Sequence, residues 1–202
     1  MKPIDRSEIL PLGEYERIRE RFRGRIIESK RPRRVRVNDE MSLLFENKDT
    51  MLLQVQEMLR TERITNEKGI AHEIETYNML VPGDDELSAC LFIEIPEAAR
   101  REEMLVRWCA IEEHVAFVIG DPPKAGPVSA IDGEVCRATF EEGRRDAGRA
   151  AAVQYLKFPL SPKAKAALRA KSPAVLQFDH PHLQARVELS AATVASLASD
   201  FD

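Results

Sequence analysis

Acidic side chains at positions where the sequence predicts burial are the strongest chemical signal in this chain. On a helical wheel, the second predicted helix buries Met51, Val55 and Leu59, and Glu62 falls in the same sector. A buried carboxylate is costly unless a cation, a metal ion or hydrogen-bond donors compensate its charge. Glu62 is therefore predicted to be a metal ligand, a general base with a raised pKa, a carboxylate paired with an arginine, or a residue in a frayed helix end.

Glu94 raises the same question on a strand. Alternation places it on the face of Cys90 and Phe92, opposite Leu91 and Ile93. If another layer covers that face, Glu94 is buried and needs a partner. If the face meets solvent, the alternation describes an ordinary one-sided sheet.

Histidines offer a second set of possible ligands. Glu112 and His114 precede an apolar strand and share a face in extended geometry, while residues 179–182 (DHPH) form a predicted turn with two of the four histidines. Mixed carboxylate and imidazole ligands suit zinc, iron or manganese, although a histidine in a turn also caps backbone groups. The sequence thus predicts a divalent metal site only if four side chains converge: Glu62, Glu94, Glu112 and His180.

A run of basic residues follows the first predicted helix and is a candidate for contact with phosphates. Its members are Lys30, Arg31, Arg33, Arg34 and Arg36. Aromatic interleaving, zinc-finger spacing and a helix-turn-helix pattern are absent, so base-specific recognition is not supported. A solvated or acid-paired surface is the favoured alternative, and nucleic acid is the less favoured partner.

Composition excludes several classes of protein. The 202 residues carry 30 basic and 34 acidic side chains, a formal charge of −4, which excludes a generally basic nucleic-acid binder.

Cys90, Cys109 and Cys136 have no C-x-x-C spacing, so we expect reduced thiols. The charged start differs from a signal peptide, and no apolar run reaches the roughly 20 residues of a membrane span. We therefore expect a cytoplasmic protein without a membrane segment. Nucleotide-binding and hydrolase motifs are absent.

The periodicity of apolar residues predicts the elements that position these side chains. Helical spacing predicts helices over 13–30, from a cap at Asp49 or Thr50 to 63, and over 67–80 and 97–108. A short helix opened by Ser161-Pro162 and a last helix from Ser190 follow. Alternating and apolar runs predict strands at 33–37, 41–46, 87–95, 115–119, 153–160, 175–178 and 185–189. Residues 120–123 predict a turn, and the charged segment 141–149 gives no clear prediction.

This order of elements favours the α+β class over a doubly wound sheet. We predict a helix-rich N-terminal part over 1–82, made of a helix, a short hairpin and a helical hairpin. It packs on a mainly antiparallel sheet with flanking helices over 83–202. A single domain with one shared core is favoured.

Several strings in the chain also resemble a known family. They are residues 15–19 (YERIR), 30–35 (KRPRRV), 54–64 (QVQEMLRTERI) and 77–82 (YNMLVP), followed by Ile93-Glu94, Ile111-Glu112 and Asp179-His180-Pro181. Together they resemble a bacterial family of uncharacterised proteins, domain of unknown function family 3501. The resemblance marks seven family-pattern polar residues: Gln54, Glu57, Arg60, Glu62, Glu94, Glu112 and His180. The chain departs from that family at Gln154, where histidine is common, and at Leu183, where tyrosine is frequent.

Three functions remain open at this point. Because members of that family are often encoded near rubrerythrin-like and iron-sulfur oxidoreductase proteins, the resemblance implies an accessory or binding protein of a redox or oxidative-stress system, with redox proteins as partners and a carboxylate and histidine site. The second hypothesis is an enzyme on a small acidic substrate, with Arg60 or Arg63 holding a carboxylate and Glu62 as base. The third is phosphate-backbone binding through the basic run.

Overall fold

The computed structural model describes residues 1–120, 133–140 and 148–201. Within these residues the α-helices are α1 Leu12–Lys30, α2 Lys48–Thr61, α3 Glu67–Asn78, α4 Ala98–Arg107, α5 Pro162–Arg169 and α6 Ala191–Ala198. The strands are β1 Arg34–Asn38, β2 Met41–Glu46, β3 Glu86–Ile93, β4 Val115–Gly120, β5 Gly133–Arg137, β6 Val153–Pro159, β7 Ala174–His180 and β8 Leu183–Glu188.

The strands pair into two antiparallel sheets. The first sheet has the order β1-β2-β3-β6, and the second has the order β5-β4-β7-β8. Just beyond β5, Thr139 pairs with Lys157 of β6, which links the two sheets. The predicted α+β class is confirmed. The predicted single sheet is divided into two, because β4 pairs with β5 and β7 instead of with the strands of the first sheet.

One apolar cluster lies between the two sheets. Leu43 and Leu91 of the first sheet and Leu176 of the second are wholly buried in it. At its centre the ring centroid of Phe117 lies 6.1 Å from that of Phe45 and 6.4 Å from that of Phe158. Alternation along each strand sends these side chains inward, and so the opposite faces of the sheets carry the remaining residues.

The helices of the N-terminal part form a second apolar cluster. Met51 and Val55 of α2 pack with Ile70 and Ile74 of α3, as expected for the predicted helical hairpin. Strands β1 and β2, which precede Pro82 in the chain, pair in the same sheet as β3 and β6. The first sheet therefore crosses the predicted boundary between the two parts of the chain.

The ends of some elements differ from the predictions. Helix α2 is capped by Asn47, whose side chain accepts from the backbone N–H of Thr50, and not by Asp49 or Thr50 as predicted. The Thr50 hydroxyl oxygen in turn accepts a hydrogen bond from the Asn47 N–H, which completes a capping box. Strand β5 was not predicted. The predicted turn beyond Gly120 and most of the charged segment at 141–149 lie outside the described residues.

None of the described helices combines the length and the hydropathy that a bilayer-spanning segment needs.

Candidate functional site

Glu62 does not occupy the buried position that the helical wheel predicts. Helix α2 ends at Thr61, and Glu62 is the exposed C-cap, with its N–H donating to the carbonyls of Met58 and Arg60. Arg63 follows with a φ of 54° and turns the chain away. The wheel holds only while the helix continues. Glu62 is therefore not a buried carboxylate, and its position corresponds to the helix-end alternative.

The family-pattern residues of α2 join helices instead of forming a pocket. Glu57 accepts hydrogen bonds from the Tyr15 hydroxyl at 2.6 Å and from Arg19 Nε and Nη2 at 2.8 and 2.7 Å. The Arg19 guanidinium holds the pKa of Glu57 below its ordinary value. Arg60 donates to Glu16 at 2.6 Å, and Gln54 is exposed. Glu57 and Arg60 therefore fasten α2 to α1.

Glu94 lies beyond the end of β3, where its strand face becomes open. Its side chain is half exposed, accepts a hydrogen bond from Ser42 Oγ at 2.8 Å, and lies 3.7 Å from Arg34 Nη1. Further along the same face, Ser88 and Cys90 are buried. One part of this strand face is therefore covered and another part meets solvent. Glu94 belongs to the part that meets solvent.

Glu112 and His180 are both buried and lie close enough to interact electrostatically. Glu112 and His114 belong to a short 3₁₀ helix, Ile111–His114, and not to the extended segment that the sequence predicts. His114 Nδ1 lies 3.2 Å from Asp179, which also accepts a hydrogen bond from Arg137. The imidazole rings of His114 and His180 pack edge to face, with 5.0 Å between their ring centroids.

Both ring nitrogens of His180 have backbone partners. Nε2 lies 3.1 Å from the Cys109 carbonyl oxygen, and Nδ1 lies 3.1 Å from the backbone nitrogen of His182. A carbonyl oxygen only accepts and an N–H only donates, so the ring is neutral with its proton on Nε2. His180 therefore caps a turn, the second of its two predicted roles, and has no nitrogen available for a metal ion.

Stability is expected to fall in mild acid because of His180. Burial lowers the pKa of His180 from its ordinary value of 6.5, and the nearby His114 and His182 lower it further. Below about pH 6.5 the unfolded chain takes up a proton that the folded chain refuses, so the free energy of unfolding decreases as the pH falls. Urea denaturation at about pH 7.5 and about pH 5 measures this decrease.

The variant His180→Gln provides the comparison, since glutamine can donate to the Cys109 carbonyl and does not titrate. We expect a smaller loss of stability between the two pH values than in the unmodified protein. An equal loss in both proteins would show that other groups cause the acid sensitivity.

The four predicted metal ligands do not form a common site. Glu62 and Glu94 are exposed on different elements, and both nitrogens of His180 are occupied. Within the described part of the chain, no group of three or more histidine, cysteine, aspartate or glutamate side chains is placed to hold a metal ion. The convergence on which the predicted metal site depended is absent.

Each member of the basic run faces an acidic side chain. The pairs are Lys30 with Glu46, Arg31 with Glu28, Arg33 with Asp200, Arg34 with Glu94, and Arg36 with Asp39. Arg33 is only 1% exposed, which excludes it from contact with a phosphate backbone. This geometry corresponds to the acid-paired alternative.

A cavity of about 410 Å³ lies between the end of α3 and the outer face of the first sheet. We call it the α3–sheet cleft. One wall consists of Thr76, Tyr77, Met79 and Leu80. The other wall consists of Ser88, Tyr155, Leu156 and Lys157, with Thr139 and Phe140 beside it. Ligand pockets usually have this size and combine apolar side chains with a few polar groups.

The polar groups of the α3–sheet cleft come from neighbouring positions of two strands. Ser88 of β3 lies opposite Lys157 of β6 in the register of the sheet. Lys157 Nζ donates to Glu86 Oε1 at 2.6 Å. Burial raises the pKa of Tyr77, and the nearby Glu73 and Tyr155 raise it further, so the Tyr77 hydroxyl keeps its proton near neutral pH.

A buried carboxylate lies beside the α3–sheet cleft. Glu46 is opposite Ser88 in the register and is 2% exposed. Its charge and its hydrogen bond with the Cys90 thiol raise the pKa of that thiol, after burial as the main cause. Lys30 Nζ lies 3.9 Å from Glu46 Oε2. Phe45-Glu46 is one of the strings that resemble the family, but Glu46 is not among the site residues predicted from the sequence, and the cleft has no prediction there.

Weak signals for the cleft are present in the sequence. Tyr77 belongs to the apolar stripe predicted for the third helix, and Ser88 and Cys90 alternate with the core residues of β3. A polar strand face opposite a helix with a tyrosine on its apolar stripe is compatible with a lined cavity. The pairing of β3 with β6, which places Tyr155 and Lys157 there, has no local signature.

Comparisons with known proteins agree with one another. A family model described as "Protein of unknown function (DUF3501)" matches residues 3–201. A crystal structure of a novel protein of unknown function from Burkholderia pseudomallei K96243 is 31% identical, covers 100% of both chains and superposes with a TM-score of 0.88. No curated protein matches the chain. Since the family model spans nearly the whole sequence, the chain belongs to the DUF3501 family.

Proposed function

We propose that this protein binds a small, largely apolar organic molecule in the α3–sheet cleft. The observation that carries the proposal is the cavity of about 410 Å³ that Tyr77, Leu80 and Tyr155 line together with a few polar groups. Its size lies within the range of small-molecule pockets, and its mixed lining suits a ligand that buries rings or alkyl groups and positions one polar group.

The other hypotheses have weaker support. The enzyme hypothesis needs Arg60 or Arg63 to hold a substrate and Glu62 to act as base. Arg60 is engaged by Glu16, and Glu62 and Arg63 are exposed at the end of α2. The basic run faces acidic partners, so phosphate-backbone binding has no unopposed cationic surface there. A redox setting, redox protein partners and a cytoplasmic location stay predictions of the sequence and the family resemblance. A binding protein is compatible with them.

Occupancy of the cleft can be tested with the neutral fluorescent probe N-phenyl-1-naphthylamine. Binding to an apolar cavity increases its fluorescence, and a titration gives the dissociation constant. The variant Thr76→Trp places an indole in the cleft from the wall formed by α3, where Thr76 is only half buried. We expect it to weaken binding by about tenfold or more, because the probe and the indole compete for the same volume.

A matched control uses the same substitution elsewhere on α3. Lys68 is exposed and does not line the cleft, so Lys68→Trp should bind the probe as the unmodified protein does. Equal binding by Thr76→Trp and Lys68→Trp, or no binding by the unmodified protein, would contradict the proposed function.

A further inference from the structure

The polar groups of the α3–sheet cleft suggest the chemical class of its ligand, and this inference rests on the proposed function. Lys157 supplies an ammonium group, and Tyr77 and Ser88 supply hydroxyls. Among the described residues that line the cavity, none is an aspartate or a glutamate. A lining of this kind complements an anion better than a cation, because ammonium and hydroxyl groups donate hydrogen bonds to negative oxygens.

Lys157 retains donor capacity toward the cleft. An ammonium group has three N–H donors, and the structure describes one hydrogen bond from Lys157 Nζ, to Glu86 Oε1. That carboxylate oxygen also accepts from the backbone N–H of Gly83 at 2.9 Å. Glu86 is therefore the ion-pair partner of Lys157 and fixes the position of its ammonium group. The attraction that remains for a ligand comes from the other N–H donors of Lys157, and not from an unopposed charge.

Charged side chains of opposite sign lie on the two sides of Ser88 in the first sheet. Ser88 lies between Glu46 on β2 and Lys157 on β6 in the register. The Glu46 carboxylate is buried near Lys30 and Cys90, so the negative end of this row lies away from Lys157. An anionic group is thus favoured beside Lys157 and not on the Glu46 side of Ser88.

We propose that the α3–sheet cleft binds a small amphiphilic carboxylate, with its carboxylate at Lys157 Nζ and its apolar body between Tyr77 and Tyr155. The rings of the two tyrosines offer flat apolar surfaces that suit an aromatic or alkyl body. The hydroxyl of Tyr77 adds a hydrogen-bond donor on the helix side.

The test compares 2-naphthoate with 2-naphthamide, which share one ring system and differ in charge. Isothermal titration calorimetry of the full chain at about pH 7.5 should give about tenfold tighter binding of the naphthoate, the difference expected for one charge-assisted hydrogen bond. Lys157→Met, which replaces the ammonium group by a slightly shorter, uncharged chain, should remove that preference and leave binding of the naphthamide within about twofold.

Two further variants separate the role of Lys157 from general charge effects. Lys163→Met removes an exposed lysine that pairs with Glu134 away from the cleft, and it should keep the preference. The double variant Lys157→Met/Glu86→Gln also removes the carboxylate that Lys157→Met leaves without its lysine, and the preference should still be lost.

The outcomes distinguish this inference from the proposed function. Equal affinities for the two probes, or a preference that survives Lys157→Met, would overturn the carboxylate assignment and leave cleft binding intact. If neither probe binds, or if Thr76→Trp does not weaken either one, both proposals fail.

Discussion

Replacement of Arg33 by methionine is expected to lower the free energy of unfolding by about 3–5 kcal/mol. Arg33 and Asp200 form an ion pair at 2.6 Å whose side chains are 2% and 6% exposed. The guanidinium also donates to the carbonyls of Phe45, Glu46 and Ser196. Methionine fills much of the volume but donates no hydrogen bond, so a buried carboxylate and three carbonyls lose their donor. Urea denaturation with linear extrapolation measures the loss.

Arg31→Met is the control for this prediction. Arg31 is 72% exposed and pairs with Glu28, three residues earlier, so its loss should change stability by no more than about 0.5 kcal/mol. Asp200→Asn should destabilise in the same direction as Arg33→Met. A loss below about 1 kcal/mol for Arg33→Met would mean that water replaces the guanidinium, and that this pair does not anchor the C-terminal segment.

Replacement of Phe117 by alanine is expected to destabilise the fold by about 3–5 kcal/mol as well. Phe117 is completely buried, and its ring meets Phe45 and Phe158 from the opposite sheet. Removal of the ring costs its transfer free energy and leaves a cavity that rigid strands on both sides cannot close. Thermal and urea denaturation should both report the loss.

A graded series tests the cavity explanation. Phe117→Leu keeps most of the apolar volume and should cost only about 1–2 kcal/mol. Val153→Ala removes apolar atoms from a residue that is 44% exposed on the outer face of β6, and it should stay within about 0.5 kcal/mol. Similar losses for Phe117→Ala and Val153→Ala would show that contact between the two sheets does not carry the stability.

Most elements of the fold could be predicted because their signals are local. The helix over residues 13–30 and the strand at Met41–Glu46 follow from periodicity, and Ser161 and Ser190 cap helices as their residue types suggest. Strand β5 escaped prediction because it is a short edge strand with only one buried residue, Cys136. Such a strand gains its stability from the neighbour with which it pairs, and the sequence does not identify that neighbour.

The candidate site was less predictable than the fold. The sequence directed attention to Glu62, Glu94, Glu112 and His180. The structure brings Glu112 and His180 close together and leaves Glu62 and Glu94 exposed on other elements. Glu62 is exposed because a helix ended one residue earlier. A helical wheel assumes that the helix continues through every residue plotted on it. A difference of one residue in the position of the helix end therefore decides whether a carboxylate near that end is buried or solvated.

The sequence by itself determined the α+β class, most helices and strands, and the core-facing side of β3, since each depends on residues within one turn or one pleat. Tertiary structure alone decided that Arg33 is a buried partner of Asp200, 167 residues away. It also decided that Tyr77 and Lys157 face one cavity. The physical reason is that burial, ion pairing and cavities arise from contacts between distant segments, and strand order, which no local periodicity encodes, brings those segments together.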